Sequence, residues 1–513
     1  MTMFIIDNLK SACKTSPENI ALVCGNKSIS YQALDNLSEE IALGLKSAGV
    51  VAGDNVGIHM DKSVQAIASI YAILKLGCCY VPISPDSPEP RFMAIIKNCS
   101  IAHLLIEEQQ QSVIETLLLD TGVKIFSTKQ LIDFVKSDKP DPIIRAEITG
   151  QESAAILHTS GSTGVPKGAV ITQQNLSVFI SWSVSAFALT ADDRLLSHAP
   201  LQFDLSFFDL FAASAVSATV VLTTSADTSN AARLVSLVND SGITVWQSVP
   251  SALTLLVVSN KLQKQSLFMP NVRCVLFAGE RMPRTTLLGI SEIFSKAVFY
   301  NIYGCTETNN TFMYQLPSDV SKAPDPLPIG SVLTHIQHKV VDESGAEVKP
   351  GKKGQLVIAG DTVMAGYIER ENTGKSIYRN DNCVDGFYQT HDIVSASNKG
   401  EVCFHGRVDN VIKSNGYRIN LMEIEDQLRH SQKFVEVAVM CEPDELIGNR
   451  IIAIVKPKPS ESCSILDLKL FCAKSLPKYA IPHRFYISSN ALPKGNTGKI
   501  DKRQIAEMWQ LAV

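Results

Sequence analysis

The sequence predicts an α/β protein with a large N-terminal domain and a small α+β C-terminal domain. Three observations carry that prediction. The chain has 513 residues, too many for one hydrophobic core. Up to about residue 325, short apolar runs alternate with longer amphipathic stretches, as in largely parallel sheets with crossover helices. Beyond that point the texture changes to β-strands joined by turns, and it changes again after Arg407-Val408-Asp409.

The elements follow in order. Residues 55–59 read as a strand, 63–76 as a helix with apolar positions three and four apart, and 80–83 as a strand before Pro85, Pro88 and Pro90 break the pattern. Residues 102–106, 195–199, 219–223, 244–248 and 274–277 read as further buried strands. A helix begins near Asn175, and the apolar stretch 253–258 reads as a buried helix. Residues 336–341, 354–359 and 402–406 predict a β-rich lobe. A helix over 422–430 with strands over 435–441 and 450–456 predicts the small domain. These readings divide the chain into 1–408 and 409–513.

Composition narrows the function. Apolar residues make up 45% and charged residues 19%, as in an ordinary globular protein. The net charge of −4 argues against a nucleic-acid binder that relies on a basic surface. The twelve cysteines are scattered without a C-x-x-C pair, which fits reduced thiols better than a disulfide framework or a zinc site. The N-terminus lacks the pattern of a secretory signal, and no apolar run reaches the roughly 18 residues that span a bilayer. A cytoplasmic protein without a membrane partner is expected.

The run Thr159-Ser160-Gly161-Ser162-Thr163-Gly164-Val165-Pro166-Lys167-Gly168 is the most informative stretch. Its glycines let backbone N–H groups approach an anion, its hydroxyls add donors, and its lysine adds positive charge. It follows an apolar strand, Ala154-Ala155-Ile156-Leu157, as polyphosphate-binding loops do. A generic loop of this composition would read as flexible surface. It is not a Walker A loop, because no Gly-Lys-Ser/Thr closes it, and it is not a G-x-S-x-G nucleophile elbow.

T-S-G-S-T-G-x-P-K-G resembles the phosphate loop of the adenylate-forming superfamily, which includes acyl-CoA synthetases, luciferases and amino-acid adenylation domains. Six further segments resemble that family's motifs in order: 76–83, Phe203-Asp204-Leu205-Ser206, 301–308, Tyr388-Gln389-Thr390-His391-Asp392, the pair 406–409 and 416–419, and 493–501. The resemblance implies ATP-dependent activation of a carboxylate as an acyl-adenylate, then transfer to a thiol, with ATP and Mg²⁺ required. It also implies a mobile C-terminal domain.

The resemblance assigns roles residue by residue. Thr159 to Gly164 and Lys167 would cradle the β- and γ-phosphates, Thr306 would bond the α-phosphate, and Glu307 would hold Mg²⁺, since a hard cation takes oxygen donors. Tyr303 would stack on adenine beside Gly304, and Asn301 would read the exocyclic amine. Asp392 would accept from the ribose hydroxyls, with Arg407 supplying positive charge. Lys499 would clamp the substrate carboxylate and α-phosphate, and Asp409 would be the hinge. Two anions must meet in this reaction, so cationic groups at the transferring phosphorus are what the chemistry needs.

Asp204 would pair with a substrate α-ammonium group; its other reading is a cap on a helix over 206–211. The side-chain pocket would include Leu205, Phe208, Gln247, Leu276, Ala278, Ile302, Asn310 and Thr311, mostly apolar with polar groups at one end. Leu205, Leu276, Ala278 and Ile302 resemble free-standing prolyl adenylation enzymes. The segments 203–210 and 245–250 resemble D-alanine–carrier-protein ligases. The expected substrate is proline or a small aliphatic amino acid. The expected acceptor is the phosphopantetheine thiol of a separate carrier protein, as in nonribosomal peptide and secondary-metabolite biosynthesis. An aryl- or fatty-acyl-CoA ligase and an inactive adenylate-binding module are the alternatives. Three departures stand out: Cys305 for proline, His391 for glycine and Met422 for glycine. His391 threatens to crowd the ribose.

Overall fold

Apolar runs flanked by helix caps build the two large sheets that frame the molecule. This computed structural model describes residues 3–138, 148–159, 166–263, 267–370, 376–380, 382–458, 461, 463–494 and 500–511. Among the described residues, one sheet has eight strands. Its parallel half runs Ser153–Thr159, Cys79–Pro82, Asn55–His59, His103–Ile106 and Lys124–Ser127. The other has nine strands, with Thr219–Leu222, Arg194–Ser197, Val245–Ser248, Cys274–Ala278 and Val298–Cys305 parallel at its centre. Strands covered on both faces need apolar side chains on both, which is why they were legible as continuous apolar runs.

The helices between these sheets are apolar nearly all round. Val64–Lys75 is one of them; its N-terminus is closed by Ser63, whose side chain accepts the Ala66 N–H. The one charge on its buried surface, Lys75, is matched by Asp35 at 2.8 Å and Glu39 at 3.0 Å. Unpaired, that ammonium would be costly to bury.

Two local readings change. The phosphate loop leads not straight into a helix but into a strand, Lys167–Thr172, paired antiparallel to Ser153–Thr159. The helix Gln173–Ala186 begins only after that strand, capped by Thr172. The segment after Asp204 is one short α-turn, Leu205–Phe207, followed by a π-helical turn, Phe208–Ala212. Wide turns of this kind frequently sit at functional sites.

The β-rich lobe pairs Ile336–Val341, Lys353–Gly360, Phe387–Ala396 and Val402–Arg407 in antiparallel order. A hairpin, Val411–Ser414 with Tyr417–Asn420, follows, then the helix Leu421–His430 and a three-stranded sheet of Phe434–Asp444, Gly448–Pro457 and Arg484–Ile487. Alternation along those strands gives the small sheet two cores. Val437, Val439, Ile451 and Ala453 face Ile419, Leu421 and Ile424. Ala438, Met440, Ile452 and Ile454 face Leu492 and Ile500. No described helix is long and apolar enough to cross a membrane.

Trp246 fills the layer outside the nine-stranded sheet, edge-on to Phe294 with ring centroids 5.6 Å apart. Trp246→Ala should therefore lower unfolding free energy by about 3–5 kcal/mol. Trp246→Phe should cost less, because the buried indole N–H has no partner to lose. Urea denaturation followed by circular dichroism measures both; equal losses would contradict this packing.

Candidate active site

The site lies where the C-terminal ends of the central strands meet the hairpin 411–420. A cavity of about 270 Å³ is walled by Thr159, Asp204, Gly304, Thr306, Asp392 and Arg407 from the large domain, and by Lys413, Tyr417 and Arg418 from the hairpin. Open α/β sheets bind ligands at this end of their strands.

Glu307 is completely buried. Arg418 Nη1 donates to both of its carboxylate oxygens, at 2.6 and 2.7 Å, and the Tyr367 hydroxyl donates to Oε1 at 2.6 Å. Burial alone would push this carboxyl up. The guanidinium and the hydroxyl outweigh it and hold the carboxyl below its ordinary range. Glu307 thus stays a carboxylate inside the protein, and its charge partner comes from the small domain.

Asp392 is paired just as fully. The Tyr303 hydroxyl donates to Oδ2 and Arg407 to Oδ1. The same guanidinium grips Asp409 with two bonds of 2.7 Å. Arg407 therefore joins the expected ribose carboxylate to the expected hinge residue. Asn301 donates to the Pro328 carbonyl at 2.8 Å and does not wall the cavity. Lys167 sits 5.3 Å over the Tyr367 ring. Ser160, Gly161, Ser162, Thr163, Gly164 and Lys499 lie outside the described residues.

Asp204 occupies the first position of its short helix, but its side chain caps nothing. It faces the cavity instead. Burial raises its carboxyl to about 6, with Lys413 opposing the rise and Glu307 adding to it. Leu205, Ala278 and Asn310 wall the cavity beside it. Phe208, Gln247, Leu276, Ile302 and Thr311 do not reach that wall; they are buried behind it.

The departures fit locally. Cys305 donates its backbone N–H to Thr308 Oγ1 at 3.4 Å, a contact a proline could not make. His391 takes φ +63°, the left-handed region where glycine is the easier choice. Strand alternation turns its side chain away from Asp392, toward Gln355, with Nδ1 3.4 Å from the amide nitrogen. His391 is not part of the cavity wall, so the expected crowding does not occur.

Sequence reasoning missed Lys413, Arg418 and Tyr367 as site residues. Lys413 carried one signal, a charge inside the short strand Val411–Ser414. A second, largely apolar cavity of about 480 Å³ runs between the helix Pro250–Gln263 and the turns at 415–417 and 446–447. Val249, Ala252, Leu255 and Ile447 line it, and it meets the first cavity at Phe203, Leu205, Gly416 and Tyr417.

Comparison with known proteins shows the family. The AMP-binding enzyme family matches residues 9–368, and the AMP-binding enzyme C-terminal domain matches residues 423–499. An L-proline--[L-prolyl-carrier protein] ligase of Streptomyces coelicolor is 31% identical over 498 residues, covering 94% of this chain and 92% of that one. A D-alanine--D-alanyl carrier protein ligase of Bacillus licheniformis is 30% identical over 515 residues, covering 98% and 99%. Among solved structures, the o-succinylbenzoate CoA synthetase of Bacillus subtilis aligns with a TM-score of 0.83 at 22% identity over 98% of each chain. The amide bond synthetase McbA of Marinactinospora thermotolerans gives 0.85 at 20% identity over 99% of this chain and 100% of that one. Such likenesses show the fold. The chain belongs to the AMP-binding enzyme family. It is an ATP-dependent ligase.

The environment of Asp204 has a measurable consequence. Its carboxyl holds a proton more tightly folded than unfolded, so the folded state loses relative stability as pH rises from about 4 to about 6, and the loss levels off above that. Asp204→Asn should stabilise the ligand-free protein by up to about 3 kcal/mol near pH 7.5 and by progressively less below pH 6. Urea denaturation between pH 4.5 and 8 tests this; a pH-independent difference would contradict it.

Proposed function

We propose that this protein activates a small α-amino acid, proline or a small aliphatic one, as its aminoacyl-adenylate and transfers it to the phosphopantetheine thiol of a separate carrier protein. One observation carries the amino-acid reading: a half-buried carboxylate, Asp204, that caps no helix and faces the cavity. An α-ammonium group would place an opposite charge against it. Of the expected pocket residues only Leu205, Ala278 and Asn310 line the cavity, which favours a small side chain. The two relatives that act on proline and D-alanine support the same substrate class.

In the first step, a carboxylate oxygen of the amino acid attacks the α-phosphorus of ATP. A phosphorus–oxygen bond forms, and the bond to pyrophosphate breaks. Thr306 and Gly304 wall the cavity where the α-phosphate would lie, and Asp392 beside Arg407 would take the ribose. Glu307 would hold Mg²⁺; a cation, Arg418, already occupies its carboxylate, so the place suits positive charge. Bound there, Mg²⁺ would neutralise phosphate charge as it builds. Lys499 would bridge the two anions.

That assignment requires the small domain to move. The described residues beside Lys499, Lys494 and Ile500, belong to the sheet face opposite the one that meets the hairpin; Lys494 pairs with Glu436 at 2.6 Å and Ile500 packs against the Leu492 core. Here the hairpin face meets the large domain. This arrangement suits the second step, in which a thiol sulfur attacks the acyl carbon and AMP leaves. The apolar cavity lined by Val249, Ala252, Leu255 and Ile447 would admit the pantetheine arm. Asp409, held by Arg407, would be the pivot.

Amino-acid-dependent ATP–pyrophosphate exchange tests the reading. Proline or a small aliphatic amino acid should support exchange, and Asp204→Ala should abolish it while ATP binding persists. Exchange with aryl or fatty acids alone would instead identify a CoA-ligase type of substrate, and no exchange with any acid would identify an inert module.

Ala252→Trp should separate the steps. It should leave exchange within about threefold of the native rate and slow thioester formation at least tenfold, by blocking the thiol's approach. Unaltered thioester formation would remove the corridor from the account.

A further inference from the structure

Glu280 sits between the two domains and belongs to no motif read from the sequence. It follows the strand Cys274–Ala278 and Gly279 at the rim of the site. Its Oε2 accepts the N–H of Ser251, at the start of the helix Pro250–Gln263, at 3.0 Å. Its Oε1 accepts the N–H of Gly416, in the turn of the hairpin, at 2.5 Å. One carboxylate thus bonds the backbone of both domains, at the start of a helix and in the turn of a hairpin. Burial raises the carboxyl while those two N–H donors pull it back down.

The small-domain side of this contact is shaped for close approach. Gly416 has φ +79°, and a Cβ there would lie 2.7 Å from Val249 Cγ1. Gly448, in the neighbouring turn, has φ +80°, and a Cβ there would lie 3.3 Å from Glu280 Oε1. The two turns form one unit: Asn415 N–H donates to Ile447 O at 2.9 Å, and Asn449 Nδ2 donates to Lys413 O at 2.7 Å. Gly416 and Ile447 also line the second cavity, and Val249 and Gly416 line both cavities where they meet.

We propose that Glu280 is a positioning residue for thiol transfer: its carboxylate docks the Gly416 turn against the large domain and so builds the wall along which the acceptor thiol enters. The inference rests on the two-step reading above. If the hairpin leaves the cavity for adenylation, the Gly416 bond breaks and only the Ser251 bond remains. The contact is therefore specific to the arrangement described here, unlike a purely structural bond within one domain.

Two measurements on the full-length protein test it. Hydrogen–deuterium exchange needs no substrate: peptides spanning 411–420 should exchange faster in Glu280→Ala, and nearer the native rate in Glu280→Gln, whose amide oxygen still accepts one N–H. Unchanged exchange in Glu280→Ala overturns the docking role. In single turnovers from preformed adenylate, Glu280→Ala should slow transfer to a phosphopantetheinylated carrier at least tenfold and leave pyrophosphate exchange within threefold, with partial rescue by Glu280→Gln. Equal loss in both half-reactions, or no loss in transfer, overturns the positioning role. A native enzyme that exchanges pyrophosphate with no amino acid would sink the underlying substrate reading instead, and the deuterium result would still decide the docking.

Discussion

A carboxylate buried without solvent must find positive charge, and Glu307 finds it across the domain boundary. Its two oxygens take Arg418, a residue 111 positions later in the chain, and the Tyr367 hydroxyl. Removing one partner of such a buried pair typically costs about 3–5 kcal/mol, because the other charge is stranded. The pair therefore does more than attach a hairpin to a sheet. It makes the position of the small domain and the charge at Glu307 the same variable. Any cation that takes Glu307 for chemistry competes with Arg418.

The neighbouring contacts repeat this logic. Arg407 pairs with both Asp392 in the cavity and Asp409, so a ligand that competes for Asp392 would act on the proposed pivot as well. Farther out, the domains are joined by Arg91 with Glu423 at 3.4 Å and Lys478 with Asp86 at 2.7 Å. The latter pair is exposed and adds little in water. Specific register comes from half-buried aromatic contacts, where Tyr417 packs edge-on to Phe203 and stacks on Tyr479. The arrangement is held by a few polar contacts whose partners can be exchanged, as a two-position mechanism requires.

The central strands were legible because they are covered on both faces, and the runs 55–59 and 336–341 match the observed bounds. The strand Lys167–Thr172 was hidden by the glycine and proline of the loop before it, whose composition reads as turn. The π-turn after Asp204 has no sequence signature, yet it turns Phe208 into the core instead of the cavity. Two residues that local motifs mark, Thr306 and Asp392, do wall the cavity. Arg418, Lys413 and Glu280 were not legible. Their roles arise from pairing between segments more than a hundred residues apart, and no periodicity records such a pair.

The central claim is that binding of ATP with Mg²⁺ at Glu307 and the hairpin's hold on Glu307 exclude each other. Electron–electron resonance distances between spin labels at the exposed positions Leu288 and Val435 read the domain arrangement directly. Non-canonical amino acids should carry the labels, since twelve cysteines would make thiol labelling unselective. The account predicts one distance population without ligand and a shift to another when ATP and Mg²⁺ are added with a non-reactive amino-acid analogue. Saturating nucleotide binding with an unchanged distance distribution would contradict it.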